Sequence, residues 1–209
     1  MLLVVAGASL AVAFGAARPA GAETAHVQPI CFPVVEPVHF TSSFGAPRSG
    51  HRHQGNDLMG GKGFHLVAAA DGVVVDLRGP GQGYSGHSIR IQGVDRWFYS
   101  YLHMNDDNWG TDDGSAPVEL VFAPGLAVGS PVLAGQFIGY MGDSGNAEGS
   151  GAHLHFEIRQ PADNLWSAQA IDPHASLLAA PRCQDPTAVP PEPPRKPVMP
   201  SATRRPTPF

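Results

Sequence analysis

Glycine and proline interrupt this chain so often that no long helix fits through its middle. Between residues 40 and 171 a turn-forming cluster recurs about every ten residues, the spacing of short strands joined by tight turns. The composition agrees, with Gly 25 and Pro 21 both high. Residues 66–77, with Asp71-Gly72 in their middle, read as two strands around a tight turn. Residues 87–94 set Ile89 and Ile91 against Ser88, Arg90 and Gln92, and residues 96–104 form the next run. The Gly93-Val94-Asp95 turn makes those two a hairpin. Residues 128–141 read as two short strands around Ala134-Gly135-Gln136. Residues 31–40 suggest a strand interrupted by Pro33 and Pro37, and residues 175–180 a helical turn. The expected class is all-β: an antiparallel sheet or sandwich of short strands whose long loops form a groove.

At 209 residues and 43% hydrophobic content the chain can bury one sizeable core. A net charge of −5 with 15% charged residues leaves no basic footprint for nucleic acid, so none is expected as a partner. Residues 2–17 are apolar and uncharged, and Ala20-Gly21-Ala22 has the form of a secretory cleavage site. The apolar run is shorter than the ~20 residues of a bilayer span. The expected organisation is a signal peptide or anchor at 1–22, an N-terminal segment at 23–42, a domain at 43–183, and a proline-rich tail at 184–209. Cys31 and Cys183 bracket the domain, and in an oxidising compartment they would form an intrachain disulfide. Export and the two cysteines point the same way, to a secreted or extracytoplasmic protein; a monomer is expected.

The most informative strand is 151–159, entered through a Gly/Ser-rich turn. Alternation sends Leu154, Phe156 and Ile158 to a core and His153, His155 and Glu157 to the other face. A polar outer face carrying two histidines by chance would look the same, so this strand alone does not decide.

An open catalytic zinc site needs three protein ligands and a water. His155 is one candidate, and His53 and Asp57 offer two more at a spacing of four, with Gly55 between them to permit a bend. Groups for acid–base work must sit beside such an ion and off it. His153 shares the face of His155, and His103 ends the run Tyr99-Ser100-Tyr101-Leu102-His103, on the face expected for Tyr99 and Tyr101.

These residues match known motifs in order. His53-Gln54-Gly55-Asn56-Asp57 has the form H-x-G-x-D, and Ala69-Ala70-Asp71-Gly72-Val73-Val74 the glycine turn that follows it. Tyr101-Leu102-His103 has the form Y-x-H, and Gly129, Val132, Gly135-Gln136 and Ile138-Gly139 the form G-x-x-V-x-x-G-Q-x-I-G. Residues 142–157 match G-x-[ST]-G followed by HLHFE. Over residues 43–160 the chain resembles the lysostaphin/LytM-type zinc metallo-endopeptidases (peptidase family M-twenty-three), which cleave peptidoglycan.

The resemblance implies a duplicated hybrid β motif, one Zn2+ per chain held by His53, Asp57 and His155, and His103 and His153 as catalytic residues. It also implies a peptidoglycan peptide, cross-link or stem, as substrate. The alternative is a catalytically silent wall-binding or hydrolase-activating module on the same fold; it would lack one of those five residues, and all five are present. Gly151-Ala152 replaces a frequent Gly-Pro before the HLH, and residues 105–124 lengthen the loop after His103. The acidic stretch 105–113 lacks EF-hand spacing and reads as a solvated loop. Arg48, Arg52 and His51 are candidate groove residues, and Glu157 a candidate partner for a ligand. His26, His39, His65, His87 and His174 are read as structural or surface residues.

Overall fold

The computed structural model describes residues 26–79 and 83–183, so the expected leader or anchor and the proline-rich tail lie outside the described residues. The strands are β1 (Pro47–Arg48), β2 (His51–Arg52), β3 (Asn56–Met59), β4 (His65–Val67), β5 (Gly72–Arg78), β6 (His87–Gly93), β7 (Phe98–Met104), β8 (Pro131–Val132), β9 (Phe137–Tyr140), β10 (His153–Arg159) and β11 (Ala170–Ile171). Their pairings are all antiparallel. A seven-stranded sheet runs β11-β10-β7-β6-β5-β8, with β3 also paired to β10; β4-β9 and β1-β2 form two small sheets. Among the described residues the one α-helix, α1 (His174–Ala179), is a short turn of the kind expected there. The all-β architecture is therefore as read from the turn spacing.

The core lies between the large sheet and the small β4-β9 layer. Val74, Ile89, Ile91, Tyr99, Tyr101, Leu154, Phe156 and Ile158 meet Leu66, Ile138, Val121, Phe122 and Leu177 there. The chain is already fixed at Gln28, whose backbone N–H donates to Ser176 Oγ at 2.9 Å, and Ile30, Phe32 and Val34 enter the core. Residues 31–40 do not form the expected strand; their backbone pairs with the sheets as the isolated bridges Val34–Leu66 and His39–Met59, in keeping with the missing donors of Pro33 and Pro37.

Residues 66–77 supply two strands as read, β4 and β5, but these do not pair with each other. β4 pairs with β9, whereas β5 pairs with β6 and β8. The connecting backbone is already taken: the Cys31 N–H donates to Ala69 O at 2.8 Å, and Ala68 exchanges bonds with Gln136 and Gly135. Gly72 then enters so close to β6 that a Cβ would stand 2.3 Å from Gln92 O.

The 105–124 insertion is anchored at its base, while residues 110–115 are exposed. Lys62 gathers Asp107, Asp112 (2.5 Å) and Asp143 (2.9 Å). Asp107 Oδ1 also accepts the backbone N–H groups of Asp113 (2.6 Å) and Gly114 (2.8 Å), and the buried Asn105 amide donates to Asp107 O and Leu120 O. Next to this cluster, burial and then the charges of Asp107 and Asp143 push the Asp106 carboxyl up to about 6.

Cys31 and Cys183 are bonded across a sequence separation of 152, with Cα atoms 5.5 Å apart. Closing so long a loop restricts the unfolded chain, so replacing both with serine is expected to lower the unfolding free energy by about 3–5 kcal/mol, read from urea denaturation. Asp106 gives a pH-dependent expectation. Its raised folded value means the folded state resists ionisation, a penalty that grows from pH 3.8 to about 6 and is full above that. Asp106→Asn is expected to stabilise by about 1 kcal/mol above pH 6, after allowing for solvent screening, and by nothing below pH 4.

Candidate metal centre

β10 is flanked by β3 on one side and β7 on the other, with His155 opposite Asp57 in one ladder and opposite Leu102 in the other. Directly paired residues hold their Cβ atoms about 5 Å apart, so Asp57 and His155 are obligatory neighbours. His53 arrives from the turn before β3. The intervening Gly55 is required sterically: a Cβ there would lie 2.4 Å from Phe156 O and 2.9 Å from His155 Nε2. The result is a compact triangle of His53 Nε2, Asp57 Oδ1 and His155 Nδ1, with sides of 3.0, 2.9 and 3.1 Å.

Outer hydrogen bonds fix which atom of each group faces inward. A carbonyl only accepts, so the 2.9 Å contact from His53 Nδ1 to Ser43 O puts the proton on Nδ1 and the lone pair on Nε2. His155 Nε2 faces Glu157 Oε1 at 3.1 Å, which leaves its Nδ1 lone pair inward. Arg48 Nη2 donates to Asp57 Oδ2 at 2.7 Å and leaves Oδ1 for the histidines.

Burial would raise the Asp57 carboxyl, but the imidazoles of His155 and His53 hold it well below the ordinary range. Burial would likewise lower His155, but Asp57 and Glu157 push it up to about 9. A proton thus binds strongly where three inward lone pairs meet. The donor set (two imidazole nitrogens and one carboxylate oxygen, buried and convergent) fits a zinc ion.

His153 lies two residues before His155 on the same strand face, and His103 completes the group, its ring centroid 5.0 Å from that of His153 and 6.0 Å from that of His155. His103 is not on the face of Tyr99 and Tyr101, which are buried in the core. β7 carries one extra residue between Tyr101 and Met104 against β6, and His103 has φ 60°. This β-bulge turns the imidazole onto the groove face while Met104 returns to the core. A left-handed non-glycine residue costs of order 1–3 kcal/mol. Two contacts hold it: Gly142 N–H donates to His103 O at 3.0 Å, and His103 Nδ1 donates to Ser144 O at 2.9 Å. Burial, followed by His153 and His155, lowers His103 to about 4, so the ring is neutral near pH 7 with its lone pair on Nε2.

The five residues line a groove of about 750 Å3. Its walls include Arg48 and His51 on the β1-β2 hairpin and Tyr84 and Asn146 opposite. Arg52 instead donates to Gly45 O at 2.9 Å. Sequence reasoning missed Ser144 as the anchor of His103 and Tyr84 as a wall; the G-x-[ST]-G motif contained the first, and no pattern marked the second. Of the histidines set aside, His65 is buried and bonded to Glu36 Oε1 at 2.5 Å, and His87 is buried and bonded to Asn105 O at 2.9 Å.

No family model matches the chain. The structure resembles the LytM protein of Ruminococcus gnavus (TM-score 0.52, 23% identity, covering 74% of this chain and 62% of that one). It also resembles the catalytic domain of the antimicrobial peptidase lysostaphin from Staphylococcus simulans (TM-score 0.50, 24% identity, covering 68% and 92%). The chain has the lysostaphin/LytM fold. Among curated proteins, the lysostaphin/LytM-like segment is 27% identical over 155 residues to the L-Ala–D-Glu endopeptidase of Bacillus subtilis, covering 70% of this chain and 42% of that protein. It is 35% identical over 117 residues to the murein hydrolase activator NlpD of Salmonella typhimurium, covering 56% and 25%. The chain thus spans less than half the length of the curated relatives it matches.

Glu157 orients His155 from behind, its carboxyl held at about 2 despite burial by His155 and Arg159. Glu157→Gln is expected to weaken zinc binding about tenfold in a chelator competition, with the thermal unfolding midpoint little changed.

Proposed function

We propose that this chain is an extracytoplasmic zinc-dependent endopeptidase that hydrolyses peptide bonds in bacterial peptidoglycan, in cross-links or stem peptides. The observation that carries the reading is the division of labour among four imidazoles. His53 and His155 turn lone pairs inward with Asp57, while His103 and His153 have Nδ1 bonded to the carbonyls of Ser144 and Gly151 and keep Nε2 for the substrate. The disulfide supports an oxidising compartment.

When bound by His53, Asp57 and His155, zinc supplies a Lewis acid and lowers the pKa of water toward ~7. The chain's own residues do the rest. His103 and His153 turn Nε2 to the substrate, where one accepts the proton of the attacking water and returns it to the leaving amine while the other steadies the oxygen of the tetrahedral intermediate. Arg48 holds Asp57 by its outer oxygen, and the groove walls orient the peptide.

A second reading is a silent hydrolase-activating module, favoured by the similarity to NlpD. All five site residues are present with functional tautomers, which supports the enzyme.

The test combines zinc content with release of cleaved stem peptides from purified sacculi. Wild type is expected to bind one zinc and release product. His103→Ala is expected to keep the zinc and lose at least a hundredfold in rate, and His155→Ala to lose both. Zinc binding by wild type with no product would instead support the activator reading.

A further inference from the structure

The sheet face that carries the metal centre continues well beyond it. Along β10 and β7 the outward pairs run His155–Leu102, Glu157–Ser100 and Arg159–Phe98, with Arg90 and Gln92 of β6 opposite Ser100 and Phe98. Phe98 is four residues from Leu102, about 13 Å at the rise of a strand. There, Phe98 packs with Leu165 and Ala168 in a small core separate from the main one. That core holds up a cleft of about 280 Å3, floored by Phe98, walled by Trp166 and fringed by Gln92, Asp163 and Asn164.

Trp166 is 66% exposed, yet it is held in place. Its backbone N–H donates to Asn164 Oδ1 at 2.9 Å. The guanidinium carbons of Arg78 and Arg90 stand 4.8 and 5.4 Å from the ring centroid. Both arginines donate to Asp76 Oδ2, at 2.9 and 2.7 Å, so their charge is already shared with a carboxylate. The cleft therefore offers no unpaired cation to an anion. It offers a fixed, largely bare indole beside amide and carboxylate groups. That suits a neutral ligand with an apolar ring face and a hydroxylated rim.

We propose that this cleft is a distal subsite for the amino-sugar glycan of the same substrate, the pyranose ring stacking on Trp166 and its hydroxyl and acetamido groups meeting Gln92, Asp163 and Asn164. The proposal rests on the peptidoglycan reading above, and the spacing agrees with it. Phe98 and Leu102 are about 13 Å apart, which about four extended residues span, so a stem peptide passing over the buried Ser100, Glu157 and Arg90 can reach from a sugar at the cleft to the groove.

The test is titration of the zinc-loaded chain with a soluble tetramer of N-acetylglucosamine, followed by intrinsic fluorescence and by the indole N–H resonances of Trp97, Trp109 and Trp166. Saturable binding is expected to move the Trp166 resonance. Trp166→Ala is expected to weaken it at least tenfold and Trp166→Phe only a few-fold, with unfolding midpoints matched to wild type. Trp166→Ala is also expected to slow cleavage of sacculi several-fold and leave a glycan-free stem peptide unaffected. Absence of saturable binding, equal binding by Trp166→Ala, or a shift confined to Trp97 or Trp109 overturns the proposal. The two readings separate: a Trp166-dependent sugar site on a chain that cleaves no peptide upholds the subsite and removes the endopeptidase.

Discussion

The pairing of Asp57 with His155 across the β3–β10 ladder is the constraint on which the rest of the groove depends. It is enforced from behind by Leu154, Phe156 and Ile158, each fully buried in the core. A slip of one residue would turn the histidines inward and the apolar side chains out, at the cost of the whole inner face. The core therefore selects the register, and the register brings the ligands together. β7, on the other side of the same strand, uses the same frame to deliver His103.

Chemistry enters where that regular frame is broken. His103 reaches the groove because β7 bulges and accepts a left-handed residue, and the Gly142–Ser144 turn keeps it there. Close packing leaves no room for a Cβ at Gly142 or at the neighbouring Gly86. A Cβ on Gly142 would stand 2.4 Å from Asn105 Cα, and one on Gly86 would stand 2.3 Å from Ser144 Oγ. The imidazole is thus aimed by backbone contacts, which tolerate less variation than a side-chain bond.

Strict alternation made β10 legible in the sequence, down to which residues face the core and which the groove. The same rule misassigned His103, because an inserted residue shifts the phase and leaves no mark in the residue types. Residues 66–77 were legible as two strands around a turn, but a local pattern does not contain their pairing partners. The partners that separate β4 from β5, among them Cys31, Gln136 and Gln92, lie far away in sequence. His53 and Asp57 were legible as a pair, and Gly55 as their necessary spacer, although its role is close approach to β10 rather than a bend. The anchor of the acidic loop was not legible because Lys62 lies more than forty residues upstream of Asp107.

Lys62 has one further consequence. Burial would lower its ammonium, but Asp107, Asp112 and Asp143 raise it above the ordinary lysine range, so it stays charged throughout the working pH range. The insertion is therefore tied by a permanent cation of the 60–64 turn, which joins it through Asp107 and Asp112 to Asp143 of the turn that anchors His103.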